Sequence, residues 1–399
     1  MTQVLPQCFF PMQNIIQDYI WGSRTAISEL LAIENPTHAH QAEIWMGAHP
    51  NGCSKIENNG QALLLSDFIN QDKSSVLTEQ TATKFGELPY LFKVLAAGEA
   101  LSVQVHPSKA QAEVGFEKEE AAGIPRTAGN RNYKDPNHKP ELVYALTPYQ
   151  AMNGFREFSQ TIALFEQVNI SVLNALVAEF ASSPNAAGLE NFFSAILSLQ
   201  GELKETAVNA LIEYANAHQQ DELFATILEL AAQHPGDIGL FTPLMLNVIT
   251  LQPGEAMFLY ACTPHAYLKG TGLEIMANSD NVLRAGLTPK YIDVAELVDC
   301  TKFEPIPFDT LQFTPEQKDG GLYYDIPVDD FKFSLFESVS DLSLSTQSAE
   351  ILLALDSDVT LTHQSGESVT IHQGESVFIP AYAGRYSLNA KGRVARAFN

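Results

Sequence analysis

The feature that most restricts how this chain can fold is a change of hydrophobic period in mid-sequence. From about 158 to 235 apolar residues recur at helical spacing: Leu173, Leu176, Val177 and Phe180; Phe192, Phe193, Ile196 and Leu197; Val208, Leu211, Ile212 and Ala215; Phe224, Ile227, Leu228 and Ala231. Four amphipathic helices are expected, closed by the breaker-and-turn phrase His234-Pro235-Gly236-Asp237. On either side the pattern is that of short strands. Leu91–Leu95 and Leu101–His106 precede the helical stretch, Leu244–Leu251 and Ala256–Tyr260 follow it, and Phe331, Phe333 and Leu335 alternate near the end. The expected fold class is therefore mainly β with an α-helical insertion.

Two phrases in the β-rich parts resemble one another, Pro253-Gly254-Glu255-Ala256-Met257-Phe258 and Gln373-Gly374-Glu375-Ser376-Val377-Phe378, each running on to a proline. They suggest one jelly-roll module used twice. The expected division is 1–154 and 239–322 as two parts of a first β domain, 155–238 as a small all-helical domain, and 323–399 as a second β domain.

Charge narrows the partners. Against 47 Asp and Glu stand 23 Lys and Arg, a formal net of −24, which argues against nucleic acid or an anionic membrane surface. The acid is unevenly spread. Residues 157 to 237 hold eleven acids and one base, whereas 86 to 157 hold nine acids and eight bases, so the second stretch can take an anionic ligand. There is no basic segment followed by an apolar run at the amino end and no long uninterrupted apolar stretch, so neither secretion nor membrane spanning is expected. Cys8, Cys53, Cys262 and Cys300 lie far apart, as reduced thiols of a cytoplasmic protein do.

The groups that can do chemistry collect in three places. Gln104 and His106 stand two apart in a strand-like run and so share a face. Tyr133-Lys134-Asp135-Pro136-Asn137-His138-Lys139-Pro140-Glu141 packs five charged or imidazole side chains between stiffening prolines. From His265 to Lys290, a histidine after Pro264 is followed by Ser279-Asp280-Asn281, Arg284 and Gly286. Each alone has an ordinary structural reading, as a strand end, a solvated loop and a capped turn.

Together these runs resemble the signature segments of the type I phosphomannose isomerases, a family of the cupin superfamily. Further matches are Gln17-Asp18-Tyr19-Ile20-Trp21-Gly22, Glu43-Ile44-Trp45-Met46-Gly47-Ala48-His49-Pro50, Leu88-Pro89-Tyr90-Leu91-Phe92-Lys93 and Leu101–Pro107, so the resemblance runs nearly end to end. It implies two cupin-type jelly rolls beside a helical domain, and one Zn²⁺ per chain held by Gln104, His106, Glu141 and His265. It also implies interconversion of mannose 6-phosphate and fructose 6-phosphate.

That reaction moves a proton between C1 and C2 and needs an acid–base pair and an electrophile. Lys139 and Asp280 are the first candidates for proton transfer and ring opening, with His138 next. Arg284 is expected to stabilise the enediolate or clamp the phosphate, and Lys93 to contact phosphate or a hydroxyl. The substrate is thus a small sugar phosphate, and a monomer is expected. The nucleotidyltransferase loop of bifunctional relatives has no counterpart, so no nucleotide substrate is expected.

Trp21 and Trp45 read as core or pocket-wall residues, and His38, His40 and His49 as ordinary surface or hydrogen-bonded histidines. His363 and His372 lack the ligand pattern, so the second β domain is expected to bind no metal. Cys262, three residues from His265, is expected not to ligate. The competing readings are another metal-dependent cupin enzyme, an Fe(II) oxygenase, and a non-catalytic sugar-binding protein with two cupin domains.

Overall fold

The computed structural model describes residues 6–399. Its hub is the strand His265–Ala277, whose first half pairs with Tyr149–Phe155 and whose second half pairs with both Tyr90–Ala97 and Glu141–Ala145, all antiparallel. The changeover falls at Gly270, where φ is +117 and a Cβ would lie 2.4 Å from the Pro148 carbonyl oxygen. Only glycine passes that corner, so one continuous strand serves two walls of a rolled sheet. Short strands Gln104–Val105 and Leu283–Arg284 pair with each other, and Gln104 also pairs with His265.

A second antiparallel system holds the C-terminal strands, centred on Arg385–Phe398 against Lys332–Ser345 and Glu350–Ala354. It also takes in Phe10–Gln13, which pairs with Ser376–Ile379. The two matching phrases form the same turn. In each, the glycine has positive φ, the glutamate carboxylate accepts from the backbone N–H three residues earlier at 2.8 Å, and the glycine N–H donates to an alanine carbonyl of the adjacent strand. The jelly-roll turn thus occurs once in each β-rich part.

Between Phe155 and Leu246 the chain is helical, with five longer helices: Phe158–Val168, Asn174–Ser182, Ala186–Leu197, Gly201–Ala217 and Glu222–Gln233. The first was not among the four expected, although Phe158, Ile162 and Phe165 carry its apolar stripe. Phe165, Phe180, Phe193, Leu211 and Ile227 belong to the same buried cluster as Met152, Phe155, Leu283 and Leu287 of the β part. The insertion therefore shares a core with the sheet rather than hanging from it. Among the described residues no helix is long and apolar enough to cross a membrane.

Candidate functional site

His106, Glu141 and His265 are almost completely buried, and their ligating atoms all lie within 4.8 Å of one another. The sheet brings them together. His265 begins the hub strand opposite Gln104, Glu141 begins the strand beside it, and His106 follows Gln104–Val105.

Both imidazoles are set by backbone carbonyls, His106 Nδ1 against Asn281 O at 2.7 Å and His265 Nδ1 against Thr263 O at 2.9 Å. A carbonyl can only accept, so Nδ1 carries the hydrogen and Nε2 keeps its lone pair. Those Nε2 atoms point at Glu141, 3.3 Å and 3.7 Å from its two oxygens. His106 Nε2 is buried without a hydrogen-bond partner among the described residues, which a metal ion would supply.

Electrostatics agree. Burial, with Lys139 nearby, lowers the His106 imidazole to about 4, and burial lowers His265 as well, so both stay neutral donors. Burial alone would raise the Glu141 carboxyl, but the Lys139 ammonium 3.2 Å away is the largest influence holding it well below the usual carboxylate range. Tyr267 donates its hydroxyl to Glu141 Oε2 at 2.5 Å and fixes that carboxylate from behind.

A cleft of about 520 Å³ opens in front of this group, lined by Gln104, Lys139, Lys93, Asp280 and Arg284 as well as Trp21 and Trp45. Lys139 lies 3.2 Å from Glu141 Oε1, its ion partner. Arg284 stands opposite Gln104 in register. Asp280 accepts from Asn51 Nδ2 at 2.8 Å and faces His49 Nε2 at 3.4 Å. Burial pushes its carboxyl up, yet His49, Lys139 and Lys134 together hold it down at about 2. Lys93 is buried between Glu274 at 2.8 Å and Glu43 at 3.7 Å, and those carboxylates keep it charged against the cost of burial.

One sequence expectation needs correction and another is narrowed. His138 is not brought to the cleft. Ahead of the strand Glu141–Ala145, Lys139 and Glu141 share one face and His138 takes the other, so its Nε2 meets Asp330 at 3.0 Å and its ring lines grooves elsewhere. Of the two expectations for His49, surface or hydrogen-bonded, the second holds: its Nδ1 accepts from Asn51 N–H at 3.2 Å. It is 4% exposed, faces Asp280 and stacks edge-on against Trp45.

Sequence reading also passed over Glu43, Glu274, Tyr267 and Lys290. All four lay inside flagged segments, Glu43 at the head of Glu43–Pro50 and the others within His265–Lys290, without being singled out. Cys262 turns its thiol to Gln111 Oε1 at 3.2 Å. His363 bonds Ser365 and the Ala383 carbonyl, and His372 pairs with Asp358.

A buried two-histidine, one-carboxylate group at the wall of a rolled sheet, beside a cleft with several cationic side chains, defines a cupin-type metal centre adjoining an anion-accepting pocket. Comparison with known proteins makes the class particular. Family models match residues 9–158 (phosphomannose isomerase type I, catalytic domain), 158–246 (its helical insertion domain) and 322–399 (mannose-6-phosphate isomerase, cupin domain). Mannose-6-phosphate isomerase of Escherichia coli K12 is 50% identical over 388 residues, covering 97% of this chain and 98% of the relative, and that of Rattus norvegicus is 36% identical over 93% of each. The structure of the Salmonella typhimurium mannose 6-phosphate isomerase bound to substrate (F6P) and zinc superposes with a TM-score of 0.93 at 48% identity, covering 98% of this chain and all of that one. The chain belongs to the type I phosphomannose isomerase family.

Proposed function

We propose that this chain interconverts mannose 6-phosphate and fructose 6-phosphate, with one Zn²⁺ held by Gln104, His106, Glu141 and His265. The observation that carries the reading is the buried convergence of His106, Glu141 and His265, one Nε2 left without a partner, directly behind a cleft lined by Gln104, Lys139 and Arg284. Two neutral imidazoles, an amide oxygen and one carboxylate leave a bound zinc with a net charge of about +1, so it supplies Lewis-acid polarisation of substrate oxygens.

The chain's own groups do the rest. Asp280, kept ionised, takes the proton of the anomeric hydroxyl as the C1–O5 bond breaks, and that proton is returned to the ring oxygen, which becomes the C5 hydroxyl. In the open sugar a proton leaves C2, and the C–H pair forms the C1–C2 double bond of an enediol as the C1 carbonyl pair moves to O1, which takes a proton. The O2 hydroxyl then gives up its proton to become the carbonyl while the double-bond pair takes a proton at C1. Nothing is oxidised overall. Lys139, beside Glu141, is placed to carry that proton, and Arg284 to meet the negative charge that develops or the phosphate. Lys93, pinned between Glu274 and Glu43, offers a fixed N–H to a sugar hydroxyl. The corrected place of His138 leaves it to position Lys139 through its bond to Asp330.

An oxygenase reading fits less well, because the cleft groups serve proton transfer and not O₂ chemistry, and the relatives are isomerases. We further read the enzyme as a cytoplasmic monomer; four free cysteines support the compartment. We also propose that the domains divide after 154, 238 and 322. Incubating the purified, zinc-loaded protein with mannose 6-phosphate should yield fructose 6-phosphate, and an unchanged substrate overturns the reading.

A further inference from the structure

The helical insertion reaches the cleft at one point, the turn His234–Asp237 that ends its last long helix. Asp237 is a clasp. Its Oδ1 accepts from the N–H groups of Gly239 and Leu287, each at 2.7 Å, and its Oδ2 accepts from Thr288 N–H at 3.1 Å. Only the first of these lies within the insertion's own chain path; the other two belong to the loop that follows Arg284.

The clasp is reinforced by a backbone crossing. A Cβ on Gly286, whose φ is +123, would fall 2.5 Å from Gly239 Cα, and one on Gly239 would fall 2.5 Å from Leu287 N. Two glycines therefore let the segments touch, and the Asp237 carboxylate locks them.

What is locked matters for the site. Arg284 is already held by strand pairing to Gln104, but Leu287, Thr288, Pro289 and Lys290 line the cleft beyond the end of that strand. In the same turn His234 also lines the cleft, with a buried Nε2 that has no hydrogen-bond partner among the described residues. Its neighbour Gln233 ties the turn to a further lining segment, its Oε1 accepting from Ala100 N–H at 2.9 Å.

We infer that the His234–Asp237 turn makes the helical insertion part of the sugar-phosphate site, Asp237 as a positioning residue for the Leu287–Lys290 wall and His234 as a further cleft side chain that contacts bound substrate. This rests on the isomerase reading above and adds to it a role for the inserted domain. A fixed wall lowers the ordering cost of binding, so its loss falls on substrate affinity more than on the chemical step.

The test uses the whole zinc-loaded enzyme. Asp237→Asn keeps the shape but turns an acceptor into a donor facing a backbone N–H, and should raise KM for mannose 6-phosphate by about fivefold or more while kcat stays within about twofold and zinc content is unchanged. A KM equal to that of the unaltered enzyme overturns the inference, as does a fall in kcat and zinc content with KM unmoved, the mark of a merely structural role. If Asp237→Asn does not fold, His234→Ala decides, with a KM raised about threefold expected and an unchanged KM contradicting. Failure of the unaltered enzyme to turn over the sugar phosphate would instead remove the isomerase reading on which both depend, so the two failures are distinct.

Discussion

The Lys93 ammonium lies 2.8 Å from the Glu274 carboxylate, with both side chains almost wholly buried and Glu43 a further partner at 3.7 Å. Burial raises the Glu274 carboxyl to about 7 even with Lys93 beside it, because Glu141 and Glu43 repel its charge. Two acids thus share one buried lysine, with Glu141 and its own partner Lys139 close by. Lys93→Met should cost about 3 kcal/mol in urea unfolding, since a buried pair that loses one member strands the other. Lys93→Met combined with Glu274→Leu should recover part of that loss. A single variant as stable as the original chain would mean that the pair is solvated in a way the burial denies.

Metal and turnover should separate by residue. Glu141→Ala removes the one carboxylate in the buried group and is expected to abolish both zinc binding and activity. Arg284→Ala, outside that group, should keep one zinc per chain by elemental analysis while losing most turnover. Near-normal rates in the arginine variant would rule out its role in the reaction.

Tyr267→Phe removes the hydroxyl that holds Glu141 Oε2 without opening a cavity. Partners of this kind typically contribute about 10–100-fold in metal affinity, so competition with a chromophoric chelator should show a loss in that range. An unchanged affinity would show that packing alone orients Glu141.

Acid should act through Asp280. Its carboxyl is held at about 2 in the folded protein, below the ordinary value of 3.8, so the stabilisation it gives is complete above about pH 4 and is lost as pH falls through about 2. Asp280→Asn should flatten the stability profile between about pH 4 and 2 relative to the unaltered chain. Identical profiles would mean that His49 and Lys139 do not act on this carboxylate.

Much of this was legible in the sequence because it is local. Helical spacing marked the insertion, the paired Gly-Glu turns marked the repeated module, and Gln104, His106, Glu141 and His265 stood in motifs dense with chemistry. What was not legible depends on pairings across the sheet. Nothing local tells that Glu274 will meet Lys93, since their register is set by two strands 181 positions apart. His49 looked ordinary because its partner, Asp280, comes from the far end of the first β domain. His138 was misplaced for a simpler reason: a charge-rich run of nine residues does not say which side chains face inward, and the strand that begins at Glu141 settles it. The same limit hid Asp237, which reads as a turn former and is also the clasp on a loop fifty positions away.

A metal held by His106, Glu141, His265 and Gln104 is expected to serve isomerisation in the adjoining cleft. A coupled assay of mannose 6-phosphate conversion to fructose 6-phosphate, before chelation, after it, and after zinc is restored, tests it most directly. The expected result is turnover that disappears with the metal, returns with zinc in the unaltered enzyme, and does not return in Glu141→Ala. Full activity in chelated, metal-free protein, or none in protein carrying one zinc per chain, would contradict it.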